Sequence, residues 1–228
     1  TQWTRLRHAA NSRSPDFSEA LAELCQDYWY PLYAYVRRSG RDVEESQDLT
    51  QGFFELLLTK KAFTKAKPEL GRFRSFLLAC LKNYLLAAHR DANALKRGGG
   101  QATIPLEWDE AEGRYQLEPA HDDSPEKLFD RNWARTLMTR AARKLQKECE
   151  AAGLIERFNA LGSAIEDPHS VPIAEIAHQL GISEGGAKTA VRRFRLRFRE
   201  LFEESVAELL DDPRDFDREV ACLLEALR

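Results

Sequence analysis

Lys188, Arg192 and Arg195 recur at spacings of four and three, Arg199 follows one turn later, and Arg193 lies beside them. Such side chains suit one kind of chemistry. An ammonium or guanidinium donates charge-assisted hydrogen bonds to phosphate oxygens and to acceptor edges of bases. At helical spacing they share a face. The stretch that must present them, IAEIAHQLGISEGGAKTAVRRFRLRFR (173–199), reads as two helices joined by a tight turn. Ile173, Ile176, Ala177 and Leu180 give the first helix one apolar face. Gly181 stands where the chain must leave that helix with positive φ. Ser183 is placed as an N-cap, with Glu184 complementing the dipole in the first turn. The second helix is expected to bury Ala187, Ala190 or Val191, Phe194, Phe198 and Leu201. This is the layout of a helix-turn-helix that sets a basic helix in the major groove, its Ser183–Gly186 end nearest the bases. A basic face that merely meets water needs neither the turn glycine nor the cap, so their agreement favours DNA.

Two further constellations lie upstream. In Asp48-Leu49-Thr50-Gln51-Gly52-Phe53-Phe54, Leu49 and Phe53 fall on a core face, and Asp48, Gln51 and Glu55 on an exposed one. By itself this is an ordinary amphipathic helix. In Phe73-Arg74-Ser75-Phe76-Leu77-Leu78, leading to Lys82-Asn83-Tyr84 and His89-Arg90, an aromatic and an amide sit among cations. A ring can stack on an unstacked base while an amide reads its edge; a core helix with polar residues facing water accounts for the same residues equally well. The loop with Lys60, Lys61, Lys65 and Lys67 could hold phosphates.

Catalytic patterns are missing from the sequence. It has no Gly-rich phosphate loop after a strand, no H-E-x-x-H and no clustered Cys and His; His89, Asp91 and His121 are scattered. Cys25, Cys80, Cys149 and Cys222 are far apart, so free thiols in a reducing cytoplasm are expected, with no metal and no cofactor. No apolar run is long enough to span a membrane, and the N-terminal residues lack the apolar core of a secretory signal. A cytoplasmic protein is expected.

The 228 residues carry a net charge of −3 that hides a pattern. Residues 1–97 sum to +5, 98–124 to −6, 125–199 to +5 and 200–228 to −7. Two basic blocks alternating with an acidic connector and an acidic tail suit two local DNA-facing patches. The apolar periodicity predicts an all-α chain, with helices over 17–36 (kinked or divided at Pro31), 44–58, 73–90, 125–152, 154–161, the helix-turn-helix, and 215–227. Strand-like alternation occurs only near Thr103–Leu106, and Ser124-Pro125-Glu126 reads as a helix start.

The order of parts resembles the extracytoplasmic-function sigma factors of bacterial RNA polymerase. DLTQGFF is similar to their region 2.2 and IAEIAHQLGISEGGAKTAVRRFRLRF to region 4.2, while YWYPLYAYVRR, DLTQGFFELLL and RGGG resemble the groups found in planctomycete-type bacteria. The resemblance implies a region 2-like domain (1–97), an acidic linker (98–124), a region 4-like helix-turn-helix domain (125–210) and an extra acidic helix (211–228). It implies two partners, core RNA polymerase and promoter DNA. Asp48, Gln51 and Glu55 would hold the polymerase clamp helices, and Lys82, Asn83 and Tyr84 would capture the −10 element. Ser183, Glu184, Lys188, Arg192, Arg193 and Arg195 would contact the −35 element. No catalytic site is expected, and an anti-sigma protein or a kinase is a possible regulator. The family pattern carries a bulkier apolar residue at Ala187 and a basic one at Ala190. A competing reading is a stand-alone helix-turn-helix regulator whose N-terminal block self-associates; an exposed Asp and Gln on 44–58 argue against it.

Overall fold

The computed structural model describes residues 16–58, 73–92, 108–118, 123–166, 171–210 and 212–227, and every regular element among them is helical. These are α1 (Asp16–Arg38), α2 (Val43–Leu58), α3 (Phe73–Ala92), α4 (Trp108–Gln116), α5 (Pro125–Ala151), α6 (Ile155–Leu161), α7 (Ser163–Glu166), α8 (Ile173–Leu180), α9 (Glu184–Ala207), a 3-10 turn (Pro213–Asp215) and α10 (Phe216–Ala226). The possible strand near 103–106, the lysines of the 60–67 loop and His121 lie outside the described residues. None of the described helices is long and apolar enough to cross a membrane.

The chain groups into two compact units: residues up to Ala134 together with Leu209–Arg228, and Arg135–Glu208. In the first unit α1 supplies the largest share of the core among the described helices. Tyr28, Leu32, Tyr33, Ala34 and Val36 are buried, and α1 runs as one helix past Pro31, so of the kink or division expected there the division does not occur. Proline removes one backbone hydrogen bond from the helix ladder. Here Pro31 lies inside the buried stretch, and tertiary packing outweighs the local cost. The Tyr28 ring stacks on Trp133 of α5 (centroids 3.9 Å apart) and meets Phe73 of α3 edge-on at 5.7 Å. Buried aromatics of this size each remove roughly 150–250 Å² from water. From α2, Phe53, Phe54 and Leu57 turn inward. Leu56, in the same apolar run, is 42% exposed.

Two segments differ from the sequence reading. The stretch 98–124, read as a linker, contains α4, which packs on α1 through Ala111 and through a carboxylate. Glu112 accepts from the Tyr33 hydroxyl (2.6 Å) and from Arg37 Nε (3.0 Å) and Nη2 (2.9 Å). The acidic end of the chain is no separate tail either: α10 is built into the first unit. Glu219, 2% exposed, puts Oε1 3.0 Å from Nε of Arg74, itself 5% exposed. Arg74 also pairs with Asp130 and donates from Nη2 to Cys222 Sγ at 3.4 Å. Buried charges must be paired, and this cluster ties α3, α5 and α10 together.

In the second unit, α5 buries Leu137, Ala141 and Leu145 as its periodicity requires. It runs antiparallel to α9. Arg140 and Lys144 reach Glu208 at 2.7 and 2.9 Å, while Glu148, one turn beyond Lys144, takes Arg197 at 2.7 Å. Phe158 of α6 meets Phe194 of α9 edge-on at 5.8 Å.

Candidate nucleic-acid interface

The turn between α8 and α9 forms as its residues dictate. Gly181 takes the left-handed conformation (φ 63°, ψ 34°), its N–H and that of Ile182 closing back on the last turn of α8 at His178 and Ala177. Ser183 is extended, and its Oγ accepts from the Gly186 N–H at 3.2 Å, capping α9. Ala187, Ala190, Phe194 and Leu201 pack inward; Val191 and Phe198 are half-buried. The alternative left open between Ala190 and Val191 is thereby settled for Ala190, which is 4% exposed. A basic side chain at 190 would point into the core, so its absence removes nothing from the outer face.

The arginines of α9 divide into two sets. Lys188, Arg192, Arg193 and Arg195 are exposed and form no ion pair with any described residue; Glu184 is exposed too. The next two arginines are occupied. Arg197 pairs with Glu148 (2.7 Å), Glu200 (2.8 Å) and Glu204 (3.4 Å), and Arg199 pairs with Glu203 (2.7 Å). The Glu148 hydrogen bonds hold the Arg197 guanidinium above its ordinary value and draw the Glu148 carboxyl below the usual range. Free positive charge is therefore confined to the N-terminal half of α9, the half that a helix-turn-helix turns to DNA. Arg199, on the same stripe by spacing, is neutralised by an acid one turn later.

The upstream candidates are placed less simply. On α2, Asp48 is exposed, and Gln51 and Glu55 are half-buried, with Gln51 Nε2 donating to Glu55 Oε1 at 3.3 Å. Lys82, Asn83 and Tyr84 are consecutive on α3, about 100° apart around the helix, and do not form one site. Lys82 Nζ sits 2.6 Å from Glu126 Oε1 and 6.0 Å from the Tyr35 ring centre. Asn83 faces solvent. Tyr84 lies across α2 against Phe53 (5.9 Å between centroids), where burial and then the charges of Glu55 and Asp48 push its hydroxyl up. So Tyr84 joins the acidic face of α2 instead of offering a free ring.

Gly52 makes that crossing possible: a Cβ there would overlap the Tyr84 hydroxyl oxygen and stand 3.5 Å from its Cζ. Gly52→Ala alone is expected to destabilise the first unit by about 1–3 kcal/mol in denaturant unfolding. In a Tyr84→Phe background, only the ordinary contact remains. There the same change should be neutral or add up to about 1 kcal/mol from helix propensity. Equal costs in both backgrounds would refute the contact.

The sequence reading did not single out Glu112, Glu118 or Glu219, and it met Arg74 and Glu126 only within the 73–78 constellation and the helix start at 124–126. A lone glycine inside a helical pattern was a usable signal for the α2–α3 crossing. The carboxylates carried no such mark, because acids in a polar stretch look solvated. The described cysteines are free, and burial pushes the Cys25 thiol up to about 12, which leaves it inert. No group of His, Cys, Asp and Glu among the described residues could hold a metal ion. No family model, curated protein or solved structure matches the chain.

Proposed function

We propose that this chain is a promoter-specificity subunit of the extracytoplasmic-function sigma type, which binds core RNA polymerase and directs it to promoters. The observation that carries the reading is the division within α9: four cations with no ion-pair partner among the described residues on its first half, and arginines neutralised by Glu148, Glu200, Glu203 and Glu204 on its second. In this reading Ser183, Glu184, Lys188, Arg192, Arg193 and Arg195 face the −35 element. The Ser183 hydroxyl already serves as the cap, so its share is positional. The exposed Asp48 with Gln51 and Glu55 forms the polymerase-facing patch. Asn83 is the α3 residue free to meet the −10 strand, Lys82 becomes available when Glu126 lets go, and Tyr84 acts by holding α3 on α2. The protein carries no catalysis of its own in this reading and works in the cytoplasm with polymerase and DNA as partners.

Mixing the full chain with core polymerase and a promoter library, then sequencing the transcripts, tests it. Defined start sites that vanish on Asp48→Arg support the proposal. Tight, sequence-selective duplex binding by the chain alone, without polymerase-dependent start sites, would favour a stand-alone regulator instead.

A further inference from the structure

A base edge is read by a side chain with a free polar group near the Ser183 end of α9, the end that a helix-turn-helix turns into the groove. Few residues there qualify. Gly185 and Gly186 have no side chain, and Ala187 and Ala190 pack inward. Two hydroxyls are committed to the helix itself. Ser183 Oγ accepts from the Gly186 N–H at 3.2 Å, and Thr189 Oγ1 donates to the Gly185 carbonyl at 3.0 Å. Glu184, Lys188 and Arg192 remain, exposed and without an ion-pair partner among the described residues. Successive residues turn by about 100°, so these three share about 80° of arc, with Gly185 about 20° beyond Arg192. A Cβ at Gly185 would come no closer than 4.0 Å to Ser183 Oγ. The fold has room for a side chain there, and its absence lets the first turn settle close to base edges. Arg193 stands about 100° past Arg192, off this arc, and Arg195 lies a turn further from the Ser183 end.

We propose that α9 discriminates G·C pairs alone within the −35 element. Lys188 and Arg192 each donate to O6 and N7 of a guanine, and Glu184 accepts from the N4 amino group of a cytosine. Arg193 and Arg195 grip phosphates, which fix register and carry no sequence. Adenine is read by an amide that donates and accepts at once, and α9 contains neither Asn nor Gln. Glu184 repels phosphate, so it keeps the backbone away from the end where Lys188 reads. The inference rests on the −35 assignment proposed above and names the bases that this surface takes.

The test is transcription by the full chain with core polymerase from a library randomised across the −35 element, with start sites and element sequences read together. The unaltered chain should prefer guanine at two positions and cytosine at a third, each by about tenfold, and accept any base elsewhere in the element. Lys188→Ala and Arg192→Ala should each erase one guanine preference and leave the others. Glu184→Gln should move the cytosine preference to adenine, because glutamine pairs with the adenine edge. Arg193→Ala and Arg195→Ala should lower transcription from all elements alike, each flattening the salt dependence by about 0.9. All five side chains are exposed, so the variants keep the helical content and melting temperature of the unaltered chain. An adenine or thymine preference that is lost with Glu184, Lys188 or Arg192 overturns the inference. So does a base preference that shifts with Arg193→Ala or Arg195→Ala, or three reader variants that leave every preference in place. The function proposed above fails separately, when the unaltered chain gives no defined start sites at all.

Discussion

On the sigma-factor reading proposed above, replacing Lys188, Arg192, Arg193 and Arg195 together by glutamine is expected to abolish −35-dependent transcription, while Arg197→Gln with Arg199→Gln leaves it nearly intact. The difference follows from what each cation already touches. The four are exposed without an ion-pair partner among the described residues, so their charge is available to bases and phosphates. Each lost base contact costs about 1–3 kcal/mol, and each lost phosphate contact flattens the salt dependence on duplex DNA by about 0.9. Arg197 and Arg199 are held by Glu148, Glu200, Glu204 and Glu203. Their loss removes surface ion pairs, each worth about 0–1 kcal/mol of stability, and little from DNA. Transcription from a promoter with and without its −35 element, over a salt series, separates the two sets. Equal losses from both would show that the pairing within α9 does not set its footprint.

Glu219→Gln is expected to lower the stability of the first unit by about 3–5 kcal/mol, although residue 219 lies near the acidic end of the chain. It would leave the Arg74 guanidinium, 5% exposed, with Asp130 as its remaining anion. Breaking a buried pair by removing one partner costs that much because the other charge stays buried. Arg74→Met with Glu219→Leu should recover most of the loss, since apolar side chains of similar volume can replace a buried pair at little cost. Asp130, more exposed, can turn to water. Denaturant unfolding of the single and double variants checks this. An unchanged midpoint for Glu219→Gln would mean that the Arg74–Glu219 pair contributes nothing to the unit.

Helices were legible wherever apolar spacing reported a buried face. Leu128, Trp133, Leu137, Ala141 and Leu145 are all buried, as their spacing requires. The helix-turn-helix was legible to single residues, because Gly181 and Ser183 answer local backbone demands and not distant ones. Long-range partners were not. Glu219 meets Arg74 across 145 positions, and nothing in the DREVACLL stretch distinguishes a buried glutamate from a solvated one. The acidic composition of 98–124 read as a linker for the same reason; Glu112 is an anchor only because Tyr33 and Arg37 stand opposite. Consecutive Lys82, Asn83 and Tyr84 looked like one site because adjacency in sequence is easily taken for adjacency in space. On a helix it separates side chains. At Pro31, within a buried aromatic face, the helix is not divided, one of the two outcomes that the local rule allowed.

The return of Leu209–Arg228 to the first unit has a consequence for synthesis. Domains ordinarily close in the order in which they leave the ribosome. Here residues 135–208 are made before Glu219 exists, so the first unit is the last to have all its residues. Until then Arg74 lacks its most deeply buried partner. A chain ended between Glu208 and Glu219 and released from the ribosome would display that state, with the first unit more open to protease than the second.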